Sequence, residues 1–248
     1  MVVMRTIKLV IEYDGTHYLG WQIQPNGLTI QGVIQDHLKR LTGESLHLIG
    51  SGRTDAGVHA LGQVAHFKTE SRMDADAFQR GLNSLLPKDI VIRRAEEVQP
   101  DFHARKSVRS KVYEYRILNR TTPSAVDRQY VWYVPQKLNL EEMKKATHRL
   151  LGEHDFSAFR STGSSARSSV RDILRADWKR EKEGLLRFEI EASGFLKQMV
   201  RAIVGTLVEA GKGKVDAVEF QRILESKDRK QAGPTAPAHG LFLKEVKY

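Results

Sequence analysis

Between two strand-like runs, Leu46–Ile49 and Gln63–Lys68, the chain reads Gly50-Ser51-Gly52-Arg53-Thr54-Asp55-Ala56-Gly57-Val58-His59-Ala60. Glycines at 50, 52 and 57 admit backbone conformations closed to other residues and leave room for close approach of a ligand. The stretch therefore reads as a tight loop held by two strands. Loops fixed by a rigid frame are where binding and catalytic groups concentrate. Asp55 lies inside the loop, between an arginine and a glycine. A carboxylic acid with a reference pKa of about 3.9 is ionised at neutral pH, so Asp55 is a ready anionic nucleophile or base. Asp and Gly also favour turns for conformational reasons alone. The loop by itself leaves both readings open.

The 248 residues suffice for one large domain or two small ones with real cores. Forty Lys and Arg against thirty Asp and Glu give a formal net charge of +10. That excess favours a polyanionic partner, nucleic acid first and an anionic membrane surface second. Cysteine is absent, which excludes a disulfide framework, a thiolate nucleophile and a cysteine-based zinc site, and fits a reducing cytoplasm. Arg5, Lys8 and Glu12 interrupt the apolar residues near the N-terminus, so no signal-peptide core is expected. The long apolar face at Phe195–Val208 is broken by Lys197, Gln198 and Arg201 and is too short to span a bilayer. A cytoplasmic location follows as the expectation.

Alternation places Ile7, Leu9, Ile11 and Tyr13 on one face of a strand over Thr6–Tyr13. Thr29 caps a helix with a stripe of Ile30, Val33, Ile34, His37, Leu38 and Leu41, and Gly43 ends it. Strands are expected at Leu46–Ile49, Val64–Phe67 and Ile90–Ala95, with a helix over Asp74–Leu85 that stops before Pro87. The second half repeats this style. Strands are expected at Lys111–Leu118, Ile173–Trp178, Leu186–Glu191 and Leu241–Val246. Helices are expected at Leu140–Leu151, Phe195–Ala210 and Val215–Leu224. Ser161–Ser169 and Ala232–His239 read as loops. Strands and helices mix without strict βαβ alternation, which predicts two α+β layers with mainly antiparallel strands rather than a doubly wound sheet. The polar, basic run Arg105–Ser110 marks the division, giving a domain 1–105 that carries the Asp55 loop and a domain 106–248.

Further segments stand beside the Asp55 loop in order along the chain. Tyr13-Asp14-Gly15 leads through Tyr18-Leu19-Gly20-Trp21-Gln22 to Thr29-Ile30-Gln31. Phe102-His103-Ala104-Arg105 precedes Lys111-Val112-Tyr113-Glu114-Tyr115. Phe195–Gly205 contains Met199-Val200-Arg201, and Ala236-Pro237-Ala238-His239-Gly240-Leu241 closes the set. Together with Gly52–Ala60 and Gln63-Val64-Ala65-His66-Phe67, these segments resemble the tRNA pseudouridine synthase A family from Tyr13 to Tyr248. The resemblance implies two ferredoxin-like, RNP-like halves with a cleft between them. The second half, 106–248, would complete the active site.

It further implies isomerisation of uridine to pseudouridine in the anticodon stem-loop of tRNA, at tRNA positions 38, 39 and 40, by a homodimer. The C1′–N1 bond breaks, the base rotates and a C1′–C5 bond forms, with no metal or organic cofactor. The matching catalytic residues are Asp55 as nucleophile, Tyr113 as stacking partner or base, and Arg201 as the cation that keeps the aspartate ionised. The implied substrate-binding set is Tyr113, Arg53, Gly52, His59, Arg105, Lys106, Arg109 and Leu241. A uridine in a stem or loop must leave its stack to reach a buried carboxylate, at a cost of a few kcal/mol. Arg53 can occupy the vacated space or hold phosphates through its planar, multi-donor head.

His59, His66 and His103 invite a metal reading, but their spacing is not that of a zinc-binding helix and no nearby carboxylate completes a set. Base contact, hydrogen bonding behind the site, or packing remain open for each. His103, Arg105, Lys106, Arg109 and Lys111 form one basic cluster, and Arg167, Arg171 and Arg175 another. Both suit phosphate binding. Two rival classes remain: a non-catalytic RNA-binding module, which has no use for a central carboxylate, and a metal-dependent hydrolase.

Overall fold

In Arg5–Tyr13 (β1) the predicted alternation is realised: Ile7, Leu9, Ile11 and Tyr13 are buried while Lys8, Val10 and Glu12 are not. The structure, a computed structural model, describes residues 4–163 and 166–248. Ile30–Thr42 (α1) starts where Thr29 accepts a hydrogen bond from the Gly32 N–H. It stops where Gly43 takes the left-handed conformation (φ 77°) and returns its N–H to Lys39 O. Ile49–Gly50 (β2) and His59–Thr69 (β3) follow as an antiparallel hairpin. Ala75–Leu85 (α2) and Ile90–Val98 (β4) complete the first half.

These elements read β-α-β-β-α-β, with β4 and β3 flanking β1 antiparallel and β2 on the far side of β3. This is the ferredoxin-like order. The last strand, Leu241–Lys247 (β10), is also on β3, parallel, with Phe242 opposite His59 and Leu243 opposite Ala60. The chain forms two compact units. One runs to Arg109 and takes in Phe242–Tyr248; the other is Ser110–Leu241. The division falls inside the basic run Arg105–Ser110. The chain's last residues pack within the first unit, where Arg109 N–H donates to Lys247 O and Tyr248 Oη to Ala104 O.

The second unit contains Ser110–Leu118 (β5), the short Trp132–Tyr133 (β6), Leu140–His148 (α3), Gly152–Asp155 (β7), Val170–Arg180 (β8) and Leu185–Ala192 (β9). Met199–Gly211 (α4) and Ala217–Ser226 (α5) follow. The strands run β5-β9-β8-β7, antiparallel throughout, with β6 parallel on β5. The fold is thus α+β with mainly antiparallel strands. Among the described residues no helix is long and apolar enough to cross a membrane.

Two elements differ from the sequence expectation, each for a physical reason. The strand expected at Leu46–Ile49 shrinks to Ile49–Gly50 because α1 side chains take up the backbone groups of Leu48. Gln35 Oε1 accepts its N–H (3.1 Å) and Gln31 Nε2 donates to its carbonyl (2.7 Å). The helix expected from Phe195 begins at Met199, because Gln198 adopts φ 59° and breaks the helical path. Phe195 instead meets the edge of the Tyr113 ring, with centroids 4.9 Å apart. Residues 164 and 165 of the predicted Ser-rich loop lie outside the described residues.

Candidate active site

The Asp55 loop is the connection of the β2–β3 hairpin. It is tied down on both sides of the aspartate. Thr54 Oγ1 lies 2.8 Å from the buried Tyr13 hydroxyl, and Thr54 O accepts the Trp21 N–H at 3.1 Å. Beyond the aspartate, Val58 N–H closes a turn on Asp55 O, with Gly57 at φ 74°. Before it, the fully buried Gln63 side chain accepts from Ser51 Oγ and donates to Gly52 O. Asp55 itself is partly buried. Its backbone is therefore positioned by β1, β3 and the segment leading into α1.

That segment fits only because of two glycines. A Cβ at Gly20 would lie 2.4 Å from Thr54 O, and one at Gly15 2.1 Å from Val58 O. Gly20 and Trp21 in turn use their carbonyls to accept the Ile30 and Gln31 N–H groups at the start of α1. The helix, the 20–21 segment and Thr54 thus form one hydrogen-bonded stack next to residue 55.

Arg53 is exposed, and its Nε donates to Gln22 Oε1 at 3.2 Å. His59 is the first residue of β3. It is 1 % exposed, its ring stacks on Phe242, and its Nδ1 is 3.1 Å from Gly15 N and 3.0 Å from Asp14 Oδ1. These contacts tie the start of β3 to the Asp14–Gly15 segment and to β10.

The cations of the first unit sit on a second anchored loop. Arg105, Lys106 and Arg109 are all exposed. Between them and the core stands Ala104, clamped from both sides: its N–H donates to His66 Nδ1 and its carbonyl accepts from Tyr248 Oη. Burial pushes the His66 imidazole down to about 4, with the nearby His103, Lys68 and His47 adding to the effect. The ring is neutral at pH 7, as an acceptor at Nδ1 must be. Among the described residues no three His, Asp or Glu side chains come together as a metal-binding group.

In the second unit Tyr113 is 8 % exposed on β5, opposite Ile190 of β9. Arg201 is in the first turn of α4. Its Nε donates to Ala236 O (2.7 Å), and Ala236 N–H donates back to Arg201 O (3.0 Å). The segment around Ala236 can lie on α4 because residue 205 is glycine: a Cβ there would sit 1.6 Å from Pro234 O. Tyr115, next to Tyr113 but one, donates to Pro237 O, and burial pushes its hydroxyl well above the usual phenol range. Burial pushes His239 down, and the charge of Arg201 adds to that. Leu241 is buried at the start of β10. Of the second basic cluster, Arg175 pairs with Glu189, and Arg171 donates to the carbonyls of Ser168 and Val170.

Residues 9–105 and 146–248 match the protein family described as tRNA pseudouridine synthase. The chain belongs to the tRNA pseudouridine synthase family. A relative named tRNA pseudouridine synthase A from Acetivibrio thermocellus is 54% identical over 245 residues, covering 99% of this chain and 100% of the relative. One of the same name from Thermoanaerobacter sp. is 50% identical over 246 residues, with the same coverage. A third, tRNA pseudouridine synthase A 2 of Clostridium perfringens, is 48% identical, again over 99% and 100% of the two chains.

Several residues that shape this candidate site were not singled out for that role in the sequence. Thr54 looked like a loop residue, yet its hydroxyl is the point at which β1 grips the loop. Gln31 carried a signal: a large polar side chain beside Ile30 on the apolar face of α1, where burial demands partners. Tyr248 offered no signal of its own, since its partner Ala104 is 144 residues away.

Proposed function

We propose that this synthase isomerises uridine to pseudouridine in the anticodon stem-loop of tRNA, at tRNA positions 38, 39 and 40, with Asp55 as the nucleophile. The observation that carries the reading is the carboxylate on a doubly anchored hairpin loop. Thr54 is bound to Tyr13 and Trp21 on one side, and the Asp55–Val58 turn closes the other. A group held this way loses little freedom when it meets substrate, which is where positioning lowers a barrier.

Two routes suit a carboxylate. In one, it adds to C6 of the uracil. In the other, it assists cleavage at C1′, either by covalent capture or through a glycal formed by loss of the 2′ proton. In both, the C1′–N1 bond breaks, the base turns, C1′–C5 forms, the C5 proton leaves and the freed N1 takes up a proton, so the reaction is balanced without oxidant or reductant. In this reading Tyr113 stacks on the extruded base and its hydroxyl assists departure of that proton. Arg201 supplies positive charge that favours an ionised carboxylate. Arg53 fills the space left by the flipped base or grips its phosphates, and Arg105, Lys106 and Arg109 hold the backbone. We read the working enzyme as a cytoplasmic homodimer.

Incubation with an unmodified tRNA transcript, followed by mapping of pseudouridine along the chain, tests this reading. Product confined to positions 38–40 is expected. Modification elsewhere, or none, contradicts it.

A further inference from the structure

Arg53 is exposed, yet it is connected to the interior by two amides. Its Nε donates to Gln22 Oε1 (3.2 Å), and Gln22 Nε2 donates to Gln31 Oε1 (2.9 Å). Gln31 is 4 % exposed, and its Nε2 donates to Leu48 O (2.7 Å). The direction of each amide is fixed by the one before it. The Leu48 carbonyl accepts, so the Gln31 nitrogen must face it and the Gln31 oxygen must face Gln22. Gln22 must then present its nitrogen to Gln31 and its oxygen to Arg53. The Gln31 oxygen also accepts the Ile23 N–H (3.0 Å), which fixes the backbone from which the Gln22 side chain springs.

A buried amide is costly to leave unpaired, and two of the partners of this one, Leu48 O and Gln22 Nε2, lie on a line that ends at the guanidinium. A planar guanidinium held through Nε keeps its two terminal nitrogens for other groups. A long, exposed arginine without such a hold would sample many rotamers and lose that freedom on engaging RNA.

We propose that Gln22 and Gln31 are positioning residues that pre-set the Arg53 guanidinium for the extruded-nucleotide state of the RNA. The proposal rests on the role given to Arg53 above. Gln22 is the point at which to test it, since it is not part of the core.

Steady-state kinetics on tRNA should be measured for Gln22→Met, Arg53→Ala and the double variant. Methionine keeps the length of Gln22 but neither accepts from Arg53 nor donates to Gln31. The expected result is an approximately tenfold fall in kcat for Gln22→Met with little change in KM, since a contact made only in the extruded state costs rate rather than ground-state affinity when it is misplaced. Its thermal unfolding should stay near that of the unaltered chain. The double variant should be no slower than Arg53→Ala alone, because the relay has nothing left to position. Losses that simply multiply would overturn the relay while leaving Arg53's role intact. An unchanged kcat in Gln22→Met, with Arg53→Ala impaired, would do the same. An Arg53→Ala variant as active as the unaltered chain would overturn both the role of Arg53 and the relay built on it.

Discussion

The hydroxyl of Tyr13, at the end of β1, stands 2.8 Å from Oγ1 of Thr54, the residue that precedes Asp55. Both groups are buried, and burial pushes the Tyr13 hydroxyl well above the usual phenol range, so it remains a protonated partner at any working pH. Replacing Tyr13 with Phe leaves the Thr54 hydroxyl without that partner. The expected cost is about 1 kcal/mol of stability, together with a fall in kcat that exceeds any rise in KM. Denaturant unfolding combined with steady-state kinetics measures both, and an unchanged kcat would remove this contact from the support of the loop.

Gly15 faces the other end of the same loop. A methyl group there would sit 2.1 Å from Val58 O, so backbone must move to admit it. Gly15→Ala should destabilise by about 1–3 kcal/mol, the usual range for overpacking. It should also lower activity further than the unfolded fraction accounts for. A stable and fully active Ala variant would mean that the loop tolerates displacement.

His66 makes the basic loop sensitive to acid. Its folded value of about 4 lies below the ordinary 6.5, so the folded chain binds fewer protons than the unfolded chain between these values. Its contribution to stability is complete above pH 6.5 and is lost as pH falls towards 4. Protonation would also turn Nδ1 from acceptor into a donor facing the Ala104 N–H. Unfolding free energies between pH 7 and pH 4.5 should fall more steeply for the unaltered chain than for His66→Gln. Parallel curves would show that His66 does not carry the dependence.

The proposed function gives the exposed cations on that loop a part in affinity rather than chemistry. Replacing Lys106 and Arg109 together by Ala should weaken tRNA binding and flatten its salt dependence. Each lost phosphate contact takes roughly 0.7–0.9 from the slope of log K against log salt. Binding titrations over a range of salt concentrations give that slope directly. A slope equal to that of the unaltered chain would take these residues off the path of the RNA.

The sequence disclosed most where structure is made locally. The strand at β1 follows from the alternation of Ile7, Leu9, Ile11 and Tyr13, and α1 from the Thr29 cap and the Gly43 stop. It disclosed less where distant groups compete for the same backbone. Leu46–Leu48 has a strand's composition, but Gln31 and Gln35 take the hydrogen bonds of Leu48. The start of α4 is set by a left-handed Gln198, a conformation no side chain of that type advertises. The pairing of β10 with β3 joins residues almost two hundred positions apart and leaves no local trace. The site divides the same way. The Asp55 loop was visible because glycines and a charged residue stand together in sequence, whereas its supports at Tyr13, Trp21 and Gln63 are assembled by the fold.

Release of label from tRNA carrying uridine tritiated at C5 tests the proposed role of the Asp55 carboxylate most directly. The unaltered chain should release one tritium for each pseudouridine formed. Asp55→Asn should bind the same tRNA with similar affinity and release none above background. Release by the Asn variant at the rate of the unaltered chain would contradict the account.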